Sequence, residues 1–80
     1  MKRDALQVGK SYTDGRGNVR HIIGSGPAFK LYSSQADTDC LRYRQEAKVS
    51  GPNLLGHEYN STRTSFAAWA KSEVHEESAS

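Results

Sequence analysis

The 80-residue sequence predicts a small, mainly β domain, in which an antiparallel sheet of four or five strands rolls into a barrel of the Src-homology-three-like type with one C-terminal α-helix. Turn-forming residues at 14–18 (DGRGN) separate two segments rich in Tyr, Val and Ile, which is typical of a β-hairpin. Further short segments alternate between apolar and polar residues. The helix is predicted by an apolar stripe at helical spacing, made of Phe66, Trp69, Ala70 and Val74.

The hairpin comprises the first two predicted strands, residues 8–13 and 19–23. Because side chains of a strand alternate between two faces, the second strand has apolar residues on both sides and is expected to be central. One of its faces has Val19, His21 and Ile23, and the other has Arg20 and Ile22.

A third strand is predicted after a second reversal at residues 24–27 (GSGP). In residues 28–32, Phe29 and Leu31 alternate with Lys30 and Tyr32, which indicates a half-buried strand.

A fourth strand is predicted at residues 40–44, where Leu41 and Tyr43 face inward and Arg42 and Arg44 face outward. Residues 54–59 fit either a short closing strand or an apolar loop, and we favour the loop.

The domain limits follow from composition and size. Residues 1–7 are predicted to be a flexible N-terminus, residues 8–75 a single domain, and residues 76–80 a flexible tail. A chain of this length has enough apolar surface for one core.

The expected location is the cytoplasm. No apolar run is long enough to span a membrane, and the first residues lack the apolar core of a signal peptide. A single cysteine, Cys40, excludes an internal disulfide and suits a reducing compartment.

No catalytic or metal-binding motif is recognisable. The three histidines are far apart and Cys40 has no second thiol nearby, whereas zinc sites usually have closely spaced pairs of ligands. Residues 37–39 (DTD) lack the glycine and closing glutamate of a cation loop, and the two Gly-x-Gly pairs lack the rest of a phosphate-binding fingerprint. We therefore predict no metal, no cofactor and no enzymatic activity.

Cationic and aromatic residues on the predicted strands favour a nucleic-acid-binding face. If the strands are neighbours, their outward positions form a basic surface with one aromatic ring, as in small barrels that bind single-stranded nucleic acid. The alternative is a solvated face whose cations are balanced by nearby acids. The predicted nucleic-acid-binding residues are Arg20, Lys30, Tyr32, Arg42 and Arg44.

The apolar stripe of the helix also has two interpretations. Phe66 and Trp69 are expected to cover the core, because so small a domain has few other large apolar residues to bury. If instead they are exposed, they would form an interface for a protein partner or for a second copy of the chain.

Three short patterns resemble small uncharacterised proteins encoded by phages and prophages. They are Val8-Gly9-x-x-Tyr12, Gly17-x-Val19-Arg20-x-Ile22-Ile23 and Phe66-Ala67-x-Trp69-Ala70. The resemblance implies an accessory factor that binds nucleic acid or a host protein, and it assigns no residue a role. Two hypotheses result: a nucleic-acid-binding module, or a protein-interaction module that modulates a host protein.

Overall fold

The computed structural model describes residues 1–47 and 56–74, which form five antiparallel strands and one short helix. The strands pair in the order β4-β3-β2-β1-β5. Their bounds, with that of the helix, are β1 Ser11–Thr13, β2 Val19–Ser25, β3 Cys40–Ala47, β4 Glu58–Thr62, α1 Arg63–Trp69 and β5 Ser72–Val74.

The predicted antiparallel sheet of four or five strands is confirmed, but it does not close. In the described part of the chain β4 and β5 are its two edges, so the Src-homology-three-like barrel is not confirmed. The predicted hairpin is confirmed, because β1 and β2 pair in antiparallel register with Tyr12 opposite Arg20. The central position of β2 is also confirmed, since it lies between β1 and β3.

The turn at residues 14–18 has the backbone that its glycines predict. Gly15 and Gly17 have φ values of 83° and 96°, in the left-handed region that favours glycine. Asp14 accepts hydrogen bonds from the Asn18 side chain and the Arg16 backbone N–H, at 2.7 and 2.8 Å. Both bonds lower the pKa of Asp14, and the bond from Asn18 has the larger effect.

The third predicted strand, at residues 28–32, is wrong. Gly26 has a φ of 116° and Pro27–Phe29 form a 3₁₀ turn, closed by a 3.1 Å bond from the Phe29 N–H to the Gly26 carbonyl. Farther on, the Leu31 N–H donates to the side chain of Gln35 at 2.6 Å rather than to a neighbouring strand. A local side-chain bond therefore replaces a sheet ladder.

The loop interpretation of residues 54–59 is wrong at its end, because β4 begins at Glu58. Tyr59 pairs with Tyr43 of β3, and their ring centroids are 5.6 Å apart. Leu54 and Leu55 lie outside the described residues.

The predicted C-terminal helix is confirmed, but it ends earlier than its apolar stripe predicts. The Thr62 hydroxyl caps α1 by accepting from the Ser65 N–H at 2.9 Å. The helix ends at Trp69, and Val74, expected on the helical stripe, lies in β5 instead. The Lys71 N–H donates to the Thr13 carbonyl at 2.8 Å, and β5 then pairs with the open side of β1.

The core lies between one face of the sheet and α1. Phe66 of the helix is at its centre, with ring centroids 5.8, 5.5 and 5.3 Å from those of Tyr12, Tyr43 and Trp69. The described buried apolar residues that form this cluster are Leu6, Tyr12, Ile22, Leu41, Phe66, Ala67 and Ala70. We call this side of the sheet the core face and the opposite side the outer face.

Gly24 in β2 provides a first stability prediction. A Cβ at this position would lie 2.8 Å from Cε2 of Phe29, well inside van der Waals contact. We expect Gly24→Ala to lower the free energy of unfolding by about 1–3 kcal/mol in urea titrations, because the Phe29 ring must move. In a Phe29→Ala background the same substitution should cost less than about 0.5 kcal/mol. Equal costs in both backgrounds would contradict the contact as the cause.

Candidate functional site

The outer face has a row of polar side chains that crosses four of the five strands, β1 to β4. Cross-strand pairs align Ser11 with His21, His21 with Arg44, and Arg44 with Glu58. Arg44 alternates along β3 with Tyr43, which packs against the core, so the row is directed away from the core. Arg42, opposite Asn60, belongs to the same face.

Both arginines of this face are paired with acids. Arg42 donates from Nε to Glu58 at 3.2 Å and from Nη1 to the Asn60 side-chain oxygen at 2.7 Å. Arg44 donates from Nε to Glu46 at 2.6 Å, and this hydrogen bond raises the pKa of Arg44. The positive charge of the row is therefore compensated within the face itself.

A shallow concavity of about 530 Å³ adjoins the row, over β1, β2 and the end of β3. Its charged lining residues are of both signs, namely Lys10, Arg44, Glu46 and Glu73, and Lys10 Nζ lies 3.6 Å from Glu73. The Ser11 hydroxyl and Nδ1 of His21 are hydrogen-bonded at 2.8 Å. A histidine that activates a nucleophilic serine is usually oriented by a third group. Within the described ranges, the His21 imidazole has no hydrogen-bond partner besides Ser11.

The loop of residues 26–39, here called the rim loop, covers one end of the outer face. Phe29 lies over Gly24, and Cys40 is buried, with its thiol donating to the Ala36 carbonyl at 3.1 Å. Buried Gln35 holds the loop together, because its amide accepts from the Leu31 N–H and donates to the Asp39 carbonyl at 2.7 Å.

The rim loop also presents two adjacent large apolar side chains to solvent. Leu31 and Tyr32 are 53% and 55% exposed, among the most exposed large hydrophobic residues of the described chain. Beside them, Lys30 donates to Asp37 at 2.8 Å, and this bond raises the pKa of Lys30. Asp37 therefore forms an ion pair with Lys30.

The structure brings together only part of the predicted basic face. Arg42 and Arg44 lie side by side on the outer face, as expected from their alternation. Lys30 and Tyr32 lie on the rim loop instead of on a strand. Arg20 is on the core face, so its predicted outward orientation is wrong.

Arg20 instead lies against the aromatic residues that surround Phe66. Its guanidinium carbon is 4.0 Å from the ring centroid of Trp69, 4.8 Å from that of Tyr43 and 5.9 Å from that of Phe66. Such cation–π contacts are worth about 0.5–2 kcal/mol each. The sequence contains a signal for this position, because Arg20 is two residues before buried Ile22 and so shares its face.

The two residues of the alternative protein interface have different environments. Phe66 is completely buried, whereas Trp69 is half-buried and packs on the core cluster. Glu58 and Asn60, which pair with Arg42, are outer-face residues that the predicted site lacks, because the sequence predicts no strand at residues 58–62.

Among residues 1–47 and 56–74, no group of three or more His, Cys, Asp or Glu side chains is arranged to hold a metal ion. The one α-helix in these ranges is too short to cross a membrane. No protein-family model matches the chain, and neither the curated proteins nor the solved structures include a match.

Proposed function

We propose that this chain is a non-enzymatic binding module and that its partner is a protein, bound at the rim loop and the adjacent outer face. One observation carries the choice of partner: Arg42 and Arg44 are each already paired with a carboxylate of the same face. A polyanion would have to compete with Glu58 and Glu46 for them. A protein surface carries charges of both signs, so it can bind beside these ion pairs without displacing Glu58 or Glu46 from the arginines.

The rim loop provides the apolar part of the proposed interface. Leu31 and Tyr32 are exposed beside each other on a loop that Gln35 and the Lys30–Asp37 pair hold in place. Tyrosine is enriched in binding hot spots, and a preorganised loop loses little conformational entropy on binding. We propose that the chain is a phage-encoded factor that modulates a host protein in the cytoplasm. Its relationship to Src-homology-three-like barrels stays a prediction.

The nucleic-acid hypothesis gives the opposite expectation for salt dependence. Binding through phosphate contacts weakens steeply as the salt concentration rises, whereas an apolar protein interface changes little. With a fluorescent single-stranded oligonucleotide at low salt, we expect no binding that depends on Arg42 and Arg44. Salt-sensitive binding that Arg42→Gln and Arg44→Gln together abolish would reject a protein partner in favour of nucleic acid.

The positive test uses crosslinking and affinity capture of partner proteins, followed by measurement of the dissociation constant of the captured protein. The double variant Leu31→Ser, Tyr32→Ser should weaken binding by about 30-fold or more, the effect of losing a hot spot. Val8→Ser is the matched control, because Val8 is 50% exposed but lies outside the rim loop. If the double variant and the control bind equally well, the rim loop is not the binding site.

A further inference from the structure

Arg20 has an unusual combination of surroundings on the core face. Arg20 is half-buried on β2, where it lies opposite Tyr12 of β1 and Gln45 of β3. Its guanidinium contacts the rings of Trp69 and Tyr43, at 4.0 and 4.8 Å from the centroids. The rings therefore fix the position of a positive charge.

The hydrogen-bonding groups of this guanidinium are not used within the described part of the chain. Its Nε is buried and has no hydrogen-bond partner there. The polar side chains on either side of Arg20 have other partners. The Tyr12 hydroxyl already accepts from the Gln7 N–H, and the amide nitrogen of Gln45 holds that side chain against the carbonyls of Val19 and Ala47.

A buried donor without a partner costs free energy, so such a group in a folded protein calls for an explanation, of which a bound ion is one. The rings of Trp69 and Tyr43 cover this guanidinium and its Nε is buried, so a ligand can reach only its Nη N–H groups. Two of them match the two oxygens of a carboxylate.

We propose that Arg20 is a binding site for a carboxylate carried by a protein partner, with Trp69 and Tyr43 contacting the apolar stem of the bound group. A carboxylate matches the single charge of Arg20. The phosphates of a nucleic acid require several cations in a row, and Arg42 and Arg44 lie on the opposite face, paired with acids. This inference rests on the proposed function in taking the partner to be a protein, but it concerns a different face from the rim loop.

The test is an NMR titration of the ¹⁵N-labelled wild-type chain with butyrate, which has a carboxylate on a short apolar stem, and with butyramide, its uncharged counterpart. We expect the Arg20 Nε–H and Trp69 indole N–H resonances to shift saturably with butyrate and not with butyramide, at constant ionic strength. Arg16, exposed in the turn between β1 and β2, is the internal control for nonspecific effects. An Arg20 shift no larger than that of Arg16 overturns the proposal.

Inorganic phosphate is titrated separately. A saturable Arg20 shift with phosphate but none with butyrate also overturns the carboxylate assignment. Arg20→Lys keeps the charge but lacks the planar pair of donors, and it should weaken butyrate binding about tenfold. If this variant does not fold, the wild-type titration decides alone. Neither result depends on the rim loop, so failure here leaves the capture experiment with Leu31 and Tyr32 unaffected.

Discussion

Replacing Phe66 with alanine should lower the free energy of unfolding by about 3–5 kcal/mol, as expected for removing a large aromatic side chain from a core. Phe66 is 0% exposed and its ring contacts those of Tyr12, Tyr43 and Trp69. The substitution would leave a cavity between α1 and the sheet, because this ring is the main apolar group that α1 directs into the core.

Urea unfolding followed by circular dichroism measures this effect. Because a loss of that size is comparable to the whole stability of a small domain, Phe66→Leu provides a variant that should remain folded, with a loss of about 1–2 kcal/mol. Ala68→Ser, at an exposed position of the same helix, should change stability by no more than about 0.5 kcal/mol. A loss below about 1 kcal/mol for Phe66→Ala would contradict the central position of this ring.

Replacing Tyr12 with alanine should cost a similar amount, about 3–5 kcal/mol, for two separable reasons. Tyr12 is 1% exposed and packs edge-on against Phe66. Its hydroxyl also accepts from the Gln7 N–H at 2.8 Å and donates to the Ala5 carbonyl at 3.2 Å. One side chain thus contributes to the core and attaches the segment before β1 to the sheet.

Tyr12→Phe separates these two contributions. It keeps the ring and removes both hydrogen bonds, so we expect a loss of about 1–2 kcal/mol and faster hydrogen exchange of the Gln7 amide. Tyr32→Phe is the matched control, because the Tyr32 ring is exposed on the rim loop. If Tyr12→Phe is as stable as the wild type and Gln7 exchanges at the same rate, the hydroxyl does not hold the N-terminal segment.

The parts of the fold that could be predicted are those with a local cause. The turn between β1 and β2 needs only residues that tolerate positive φ, and Gly15 and Gly17 provide them. The alternation in β3 separates Leu41 from Arg42 whatever strand lies beside it, and the start of α1 needs only the Thr62 cap and the apolar spacing after it.

The candidate site could be predicted only where it depends on such alternation. Arg42 and Arg44 lie on the outer face as expected, but their partners Glu58 and Glu46 decide that the face is charge-balanced rather than basic. Arg20 shows the same dependence. Its place in β2 was predictable, whereas the ring of Trp69 against its guanidinium requires α1 to pack on that side of the sheet.

A mainly β chain with a tight first hairpin, an alternating β3 and a C-terminal helix could be predicted from residue order alone. Three features depend on contacts between distant residues: Val74 joins a strand rather than the helix, residues 28–32 form a loop closed by Gln35, and Arg20 faces the core. The difference comes from the range of the interactions. Turns and caps are satisfied by residues a few positions away, whereas a strand edge or a buried charge takes its partners from distant parts of the chain.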